Sequence, residues 1–419
     1  MSESQDLDQF NADELQPPSW LNAEFIGDIL RQYEKSPELK VTELKISPAT
    51  AQGDHYASIM FRTLVEYSSS KGKHSKPLIV KTMPEQEGHK KDMLSDSHMF
   101  ATEIGMYCHV LPEFERVLRE AGDNAKLNAV CIYHSLEPRE VMIFEDLVPQ
   151  GYSVIRNRPV NEAELKLVFE KLAKWHAVSI KLLNERPDFL KEFKYGVFDL
   201  PTFDSDPFIT TGMASFIEML DATPDLKEYK PHFEKVLDYY LKKTEEELKE
   251  YSTNRQSDAY YVLCHGDFHL RNMMFKDTGT LKDVMLVDFQ FCNLTPIFVD
   301  LTYSIYMLME PEQRASLGHD LINYYLTNLV DTLQKIGFRG QMPTQDKLWR
   351  EIHRGKYYHF FMISTLLPLM VAVKSNSLKM HDLLQDADIR KKSYQLDLYV
   401  NDVRRILAKY EELGYFNDL

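Results

Sequence analysis

The hydrophobic period of this chain changes near residue 149, and that change limits what it can fold into. From Thr42 to Met83, "VTELKISPA", "SIMFRTLVEYS" and "KPLIVKTM" are rich in β-branched and aromatic residues and are joined by polar segments. Such runs read as short antiparallel strands. A helix is expected around "SHMFATEIGMYCHVLPEF", followed by two more short strands, "VCIYHSL" and "VMIFEDL". Then "EDLVPQGY" brings Pro149 and Gly151, which break regular structure. Beyond it apolar residues recur at helical spacing. Asn161 and Glu164 make a capping box ahead of a helix whose Leu165, Val168, Phe169, Leu172, Trp175 and Ser179 share one face. Two strand-like runs, "YYVLCHG" and "DVMLVDF", interrupt the helices and read as a hairpin embedded in them.

A chain of 419 residues is too long for one compact core. The expected architecture is α+β and two-lobed. Residues 1–40 form a lead-in and helix, 41–148 a small antiparallel-sheet lobe, and 149–419 a large, mostly helical lobe. Hydrophobic residues make up 44%, enough for a folded chain rather than a disordered one. The net charge of -15 disfavours phosphate backbones, so no nucleic-acid partner is expected. Four scattered cysteines without CxxC spacing, and an N-terminus without a signal peptide, lead to the expectation of a reducing, cytoplasmic setting. "YYHFFMISTLLPLMVAV", Tyr357 to Val373, sits at the short limit for a membrane span. It reads better as a buried helix, so no membrane partner is expected. No feature marks a dimer surface, and the oligomeric state stays open.

The chemistry concentrates in "VLCHGDFHLRNMMF", residues 262–275. Asp267 precedes Asn272 by five positions, and a later strand ends in "LVDF" with Asp288 at its tip. Phosphoryl transfer needs this set. One carboxylate orients the attacking hydroxyl and takes its proton, while a second carboxylate and an amide oxygen hold Mg2+. The spacing equals that of H-R-D-x-x-x-x-N in protein kinases, and "DFQ" stands where D-F-G would. Two other readings remain open. His265, Asp267 and His269 form H-x-D-x-H, a pattern that suits a transition metal. The loop is otherwise a structural turn whose polar groups satisfy buried backbone.

A kinase-like site also requires a phosphate-binding lysine. Lys81 lies in the apolar run "LIVKTM", and Glu103 on the following helix is its candidate partner. No G-x-G-x-x-G or Walker A motif occurs. The turn "TAQGDHYAS" offers Gly53 and Ser58 as phosphate contacts, or is a plain hairpin turn. Residues 145–147, with Glu145 and Leu147 at their ends, are candidates to meet an adenine through main-chain atoms. Asp300 is expected to cap an apolar helix, and Trp175 and His176 to pack in a core. Phe208 to Leu220 is a candidate wall of an acceptor pocket, with ordinary helix packing an equal reading.

These motifs, with "VMLVDFQFCNLTPIFVDLTYSIY", "LIVKTMP", "MIFEDL" and "LAKWHA", resemble the insect ecdysteroid-kinase-like (CHK-kinase-like) family, within the choline kinase and aminoglycoside phosphotransferase group of protein-kinase-like folds. The resemblance runs from about Trp20 to the C-terminal helices. It implies ATP as donor, Asp267 as catalytic base, Asn272 and Asp288 as Mg2+ ligands, and Lys81 with Glu103 as the phosphate-anchoring pair. It implies an alcohol on a small lipophilic molecule as acceptor, ecdysteroids included. The family's glycine turn often reads G-E-N-Y-A-S, where this chain has "GDHYAS", so the phosphate contacts of that turn depart from the pattern.

Overall fold

The structure, a computed structural model, describes residues 15–49, 58–84, 97–156, 158–201, 203–279, 282–417 and 419. The chain forms two compact units that are not collinear with it: residues 1–112, 126–153 and 275–290 make the first, and 113–125, 154–274 and 291–419 the second. The α+β class expected from the sequence holds.

In the first unit, β1 (Lys40–Pro48), β2 (Ile59–Ser69), β3 (Gly72–Thr82), β4 (Cys131–Ser135) and β5 (Val141–Glu145) form an antiparallel sheet in the order β1-β2-β3-β5-β4. Side chains alternate across a strand. Leu78 and Val80 of β3, Phe61 and Val65 of β2, and Val141 and Ile143 of β5 therefore share one buried face. Helix α1 (Ala23–Tyr33), capped by the Asn22 side chain, lays Ile26, Ile29 and Leu30 into the same core. The same alternation sends Ile79 and Lys81 to the other face. Helix α2 (Met99–Gly105) follows and runs through a π turn at Met106–Val110 into Leu111–Glu120. A second sheet has the order β6 (Tyr152–Ser153), β8 (Met273–Asp277), β9 (Lys282–Leu286).

The second unit is mostly helical. Helix α3 (Glu162–Glu185) begins at the expected Asn161–Glu164 capping box, and its stripe Leu165, Val168, Phe169, Leu172, Trp175 and Ser179 is buried. It packs along α5 (Pro311–Lys335), which follows α4 (Phe298–Met307). The helical run Lys356–Lys374 is long and apolar enough to cross a membrane by length and composition, and 67% of its apolar window is buried within the protein. In the candidate pocket wall, Met213, Phe216 and Leu220 are fully buried. Gly212 packs so closely on Thr365 that an added Cβ would lie 2.5 Å from its Oγ1, so this segment is helix packing.

The hairpin reading of "YYVLCHG" and "DVMLVDF" needs correction. Strand β7 (Tyr261–Cys264) pairs with β10 (Asn293–Pro296), Leu263 opposite Leu294, while β9 belongs to the sheet of β8 and β6. The two runs thus do not pair with each other. Alternation identifies a strand but not its partner, and β10, which ends in a proline, lacks the apolar signature that would have marked it.

Candidate active site

Lys81 is the polar centre of the first unit. It sits in β3 opposite Met142 of β5 and Met60 of β2, on the face away from the apolar core. Its Nζ donates to Glu103 Oε2 at 2.6 Å and to Asp288 Oδ1 at 2.7 Å. Lys81 and Glu103 are almost completely buried, while the Asp288 side chain keeps 31% of its surface exposed. Burial works against the charged lysine, but the carboxylates of Asp288 and Glu103 outweigh it and hold its pKa above the ordinary value. For Glu103 burial dominates, against the pull of Lys81, and its carboxyl is pushed up. Two carboxyl groups thus share one ammonium.

Asp288 itself has φ +66°, a left-handed conformation uncommon outside glycine. Phe289, next in the chain, is fully buried against Tyr107, with ring centroids 5.0 Å apart.

The other first-unit candidates are Gly53, Ser58, Glu145 and Leu147. Ser58 is buried immediately before β2. Gly53 lies outside the described residues. In the connector, Glu145 closes β5 and its N–H donates to Val130 O, while the Leu147 carbonyl accepts from the N–H groups of Gln150 and Tyr152. Those groups are committed within the unit.

In the second unit the loop after β7 carries Asp267. Gly266 makes the turn at φ +79°, and a Cβ there would meet the Phe291 carbonyl oxygen at 2.3 Å. Gly266→Ala is expected to cost about 2–5 kcal/mol, from ~1–2 for the left-handed conformation and ~1–3 for the overlap. Denaturant unfolding checks this, and a parental midpoint would refute it.

The Asp267 carboxylate is held from three sides. Its Oδ1 accepts from the Tyr303 hydroxyl at 2.7 Å and lies 3.3 Å from His269 Nε2. Its Oδ2 accepts from Asn272 Nδ2 at 3.0 Å, and the same amide group donates to the Asp267 carbonyl at 3.0 Å. His269 Nδ1 accepts the Arg271 N–H, which leaves Nε2 as the protonated nitrogen facing Asp267. Burial would raise the Asp267 pKa, but His269, Tyr303 and His265 outweigh it and keep the carboxyl well below its usual range. With its Nδ2 turned to Asp267, Asn272 has its amide oxygen as a further acceptor.

His265, Asp267 and His269 do not converge as metal ligands. Among the described residues, the one group of three that does is His176, Cys264 and Asp300, all fully buried. Its polar atoms are already engaged: His176 bonds Tyr325 at 2.7 Å and Asp300 at 3.2 Å. Trp175 and His176 are buried in the core as expected, and Trp175 Nε1 donates to Leu263 O.

Asp300 is not the N-cap of α4. The cap position is Ile297, and Asp300 lies inside the first turn, fully buried. Its carboxylate accepts the backbone N–H groups of His265 at 2.7 Å and Gly266 at 3.0 Å. It braces the loop rather than its own helix. Burial opposes its charge, but His176 and His265 outweigh that and lower its pKa. Tyr303, one turn later, was not singled out from the sequence. The helix also carries Thr302, Ser304 and Tyr306, so its sequence does not mark Tyr303 out.

Compared with solved structures, the chain is similar to an ethanolamine kinase from Plasmodium vivax (11% identity, 96% of this chain and 95% of that one, TM-score 0.43). It is also similar to a microcompartment-associated aminopropanol kinase (13%, 93% and 98%, TM-score 0.43). A choline kinase from Cryptosporidium parvum matches as well (13%, 93% and 97%, TM-score 0.40). No curated protein matches significantly. The ecdysteroid kinase-like family matches residues 52–338, which include Lys81, Glu103, Asp267, Asn272 and Asp288. On that match, over more than half of its length, this chain belongs to the ecdysteroid kinase-like family.

Proposed function

We propose that this protein is a cytoplasmic, ATP- and Mg2+-dependent kinase that phosphorylates a hydroxyl of a small molecule, an ecdysteroid or another lipophilic alcohol. The observation that carries the reading is the buried Lys81 held by both Glu103 and Asp288. A lysine with two carboxylates, one of them partly exposed and in a left-handed conformation, is arranged to meet phosphate and metal.

In this reading Lys81 anchors the nucleotide phosphates, and Glu103 fixes its direction. Asp288 and Asn272 supply oxygens to Mg2+, which neutralises charge on the phosphates when bound. Asp267, ionised and firmly oriented, accepts the hydrogen bond of the acceptor hydroxyl and aligns it for in-line attack. Positioning and electrostatics carry most of such a rate. Gly53, Ser58 and the main-chain groups of Glu145 to Leu147 other than the Glu145 N–H and the Leu147 carbonyl are further candidates for contact with the nucleotide. The acidic surface and the burial of Lys356–Lys374 favour a small-molecule acceptor over nucleic-acid or membrane partners.

The test is an ATP-consumption screen of the purified protein with Mg2+ against ecdysteroids, choline, ethanolamine and plant alkaloids, with mass-spectrometric detection of the phosphate ester. A phosphorylated ecdysteroid or alkaloid supports the reading. Phosphocholine or phosphoethanolamine alone moves the acceptor to amino alcohols. Mg-ATP binding without any ester across the panel would leave a nucleotide-binding protein that is not a kinase.

A further inference from the structure

We infer that Tyr303 is a positioning residue for phosphoryl transfer, acting through Asp267; this rests on the kinase reading above. Tyr303 lies in α4, is 8% exposed, and donates its hydroxyl to Asp267 Oδ1 at 2.7 Å. Burial and the neighbouring carboxylate of Asp267 push its phenol pKa well above the ordinary value, so it remains a donor throughout the working pH range. It never competes with Asp267 for the acceptor's proton.

The position on the helix gives the contact its meaning. Asp300 and Tyr303 are three residues apart and so lie on one face of α4. Asp300 fixes the loop backbone through the N–H groups of His265 and Gly266. Tyr303 fixes the side chain that this loop presents. A single helical turn thus sets both where Asp267 starts and where its carboxylate points. Asn272 holds the other oxygen, so the carboxylate plane is defined from both ends. A carboxylate held this way keeps its remaining lone pairs in fixed directions for the acceptor hydroxyl.

The experiment is a double-mutant cycle on kcat, using Mg-ATP and the panel alcohol that the parent turns over fastest, or water if none of the panel is used. Tyr303→Phe removes one oxygen atom and keeps the ring that fills the core. It is expected to lower kcat about 10- to 100-fold, the effect of losing one hydrogen bond to a charged group. The KM for ATP should stay within about twofold of the parent's, since no nucleotide-binding residue is touched. Introduced into Asp267→Asn, the same change should lower kcat no further, because the group through which Tyr303 acts is already disabled.

A Tyr303→Phe loss of equal size in both backgrounds would overturn the proposal and assign Tyr303 to general packing. So would a parental kcat in Tyr303→Phe, and either result leaves the kinase reading standing. Thermal unfolding of the two single variants identifies a loss caused by misfolding, which also counts against the proposal. A parent that releases no ADP with any alcohol or with water defeats the kinase reading itself, and the role of Tyr303 with it.

Discussion

Asp288→Ala is expected to abolish Mg2+-dependent ATP turnover, by about a thousandfold or more, the scale set by losing a metal ligand and a transition-state charge partner together. The effect should be one of chemistry rather than folding. Lys81 retains Glu103 at 2.6 Å, so the buried ammonium is not left without a counter-ion. Charge and backbone strain can be separated, because Asp288 sits at φ +66°. Alanine resists that conformation, whereas asparagine tolerates it. Asp288→Asn should therefore fold like the parent and still lose most turnover, while Asp288→Ala adds a modest drop in thermal stability. ADP release titrated with Mg2+ and thermal unfolding of both variants measure this. If either variant turned over ATP at the parental rate, Asp288 would have no part in metal or phosphate handling.

Much of the polar machinery was legible before the structure, because it sits where regular patterns break. A lysine in the apolar alternation of β3 must face a polar partner, and Glu103 on the next helix supplies it. Asp267 and Asn272 stand five residues apart in one short loop, so their spacing was visible as a pattern, and the loop brings their side chains into contact. What sequence hid were contacts over long separations. Strand β7 reads as a strand from its own residues, but its pairing with β10 depends on a segment ending in Pro296 that carries little strand signal. Asp300 looked like a helix cap because caps are the common use of an aspartate at a helix start. Only its complete burial, and two backbone donors from a loop 34 and 35 residues away, reveal its role. Tyr303 was hidden for the same reason. In a helix of apolar and aromatic residues, one tyrosine is marked out only by what its hydroxyl touches.

Those long-range contacts shape the second large effect. Asp267→Asn is expected to reduce kcat about 10²- to 10⁴-fold, the usual range for losing a positioned proton acceptor. Mg-ATP affinity should remain within about twofold of the parent's, measured by calorimetry. The substitution keeps the side chain's shape but removes its charge and turns one oxygen into a donor. The Tyr303 hydroxyl can still donate to the remaining oxygen, but the amide then faces Asn272 Nδ2, which is also a donor. One of the two hydrogen bonds is lost, so orientation suffers along with basicity. The pH dependence separates this from a loss caused by altered ionisation. A carboxyl held well below its usual range by His269, Tyr303 and His265 is ionised throughout pH 5–9. In the parent, Asp267 therefore contributes no acid limb to kcat across that range. In Asp267→Asn, raising the pH restores nothing, because the missing group was never waiting to lose a proton. A parental profile with a limb near pH 6 that vanishes in Asp267→Asn would contradict this account, and so would a variant that regains activity as the pH is raised.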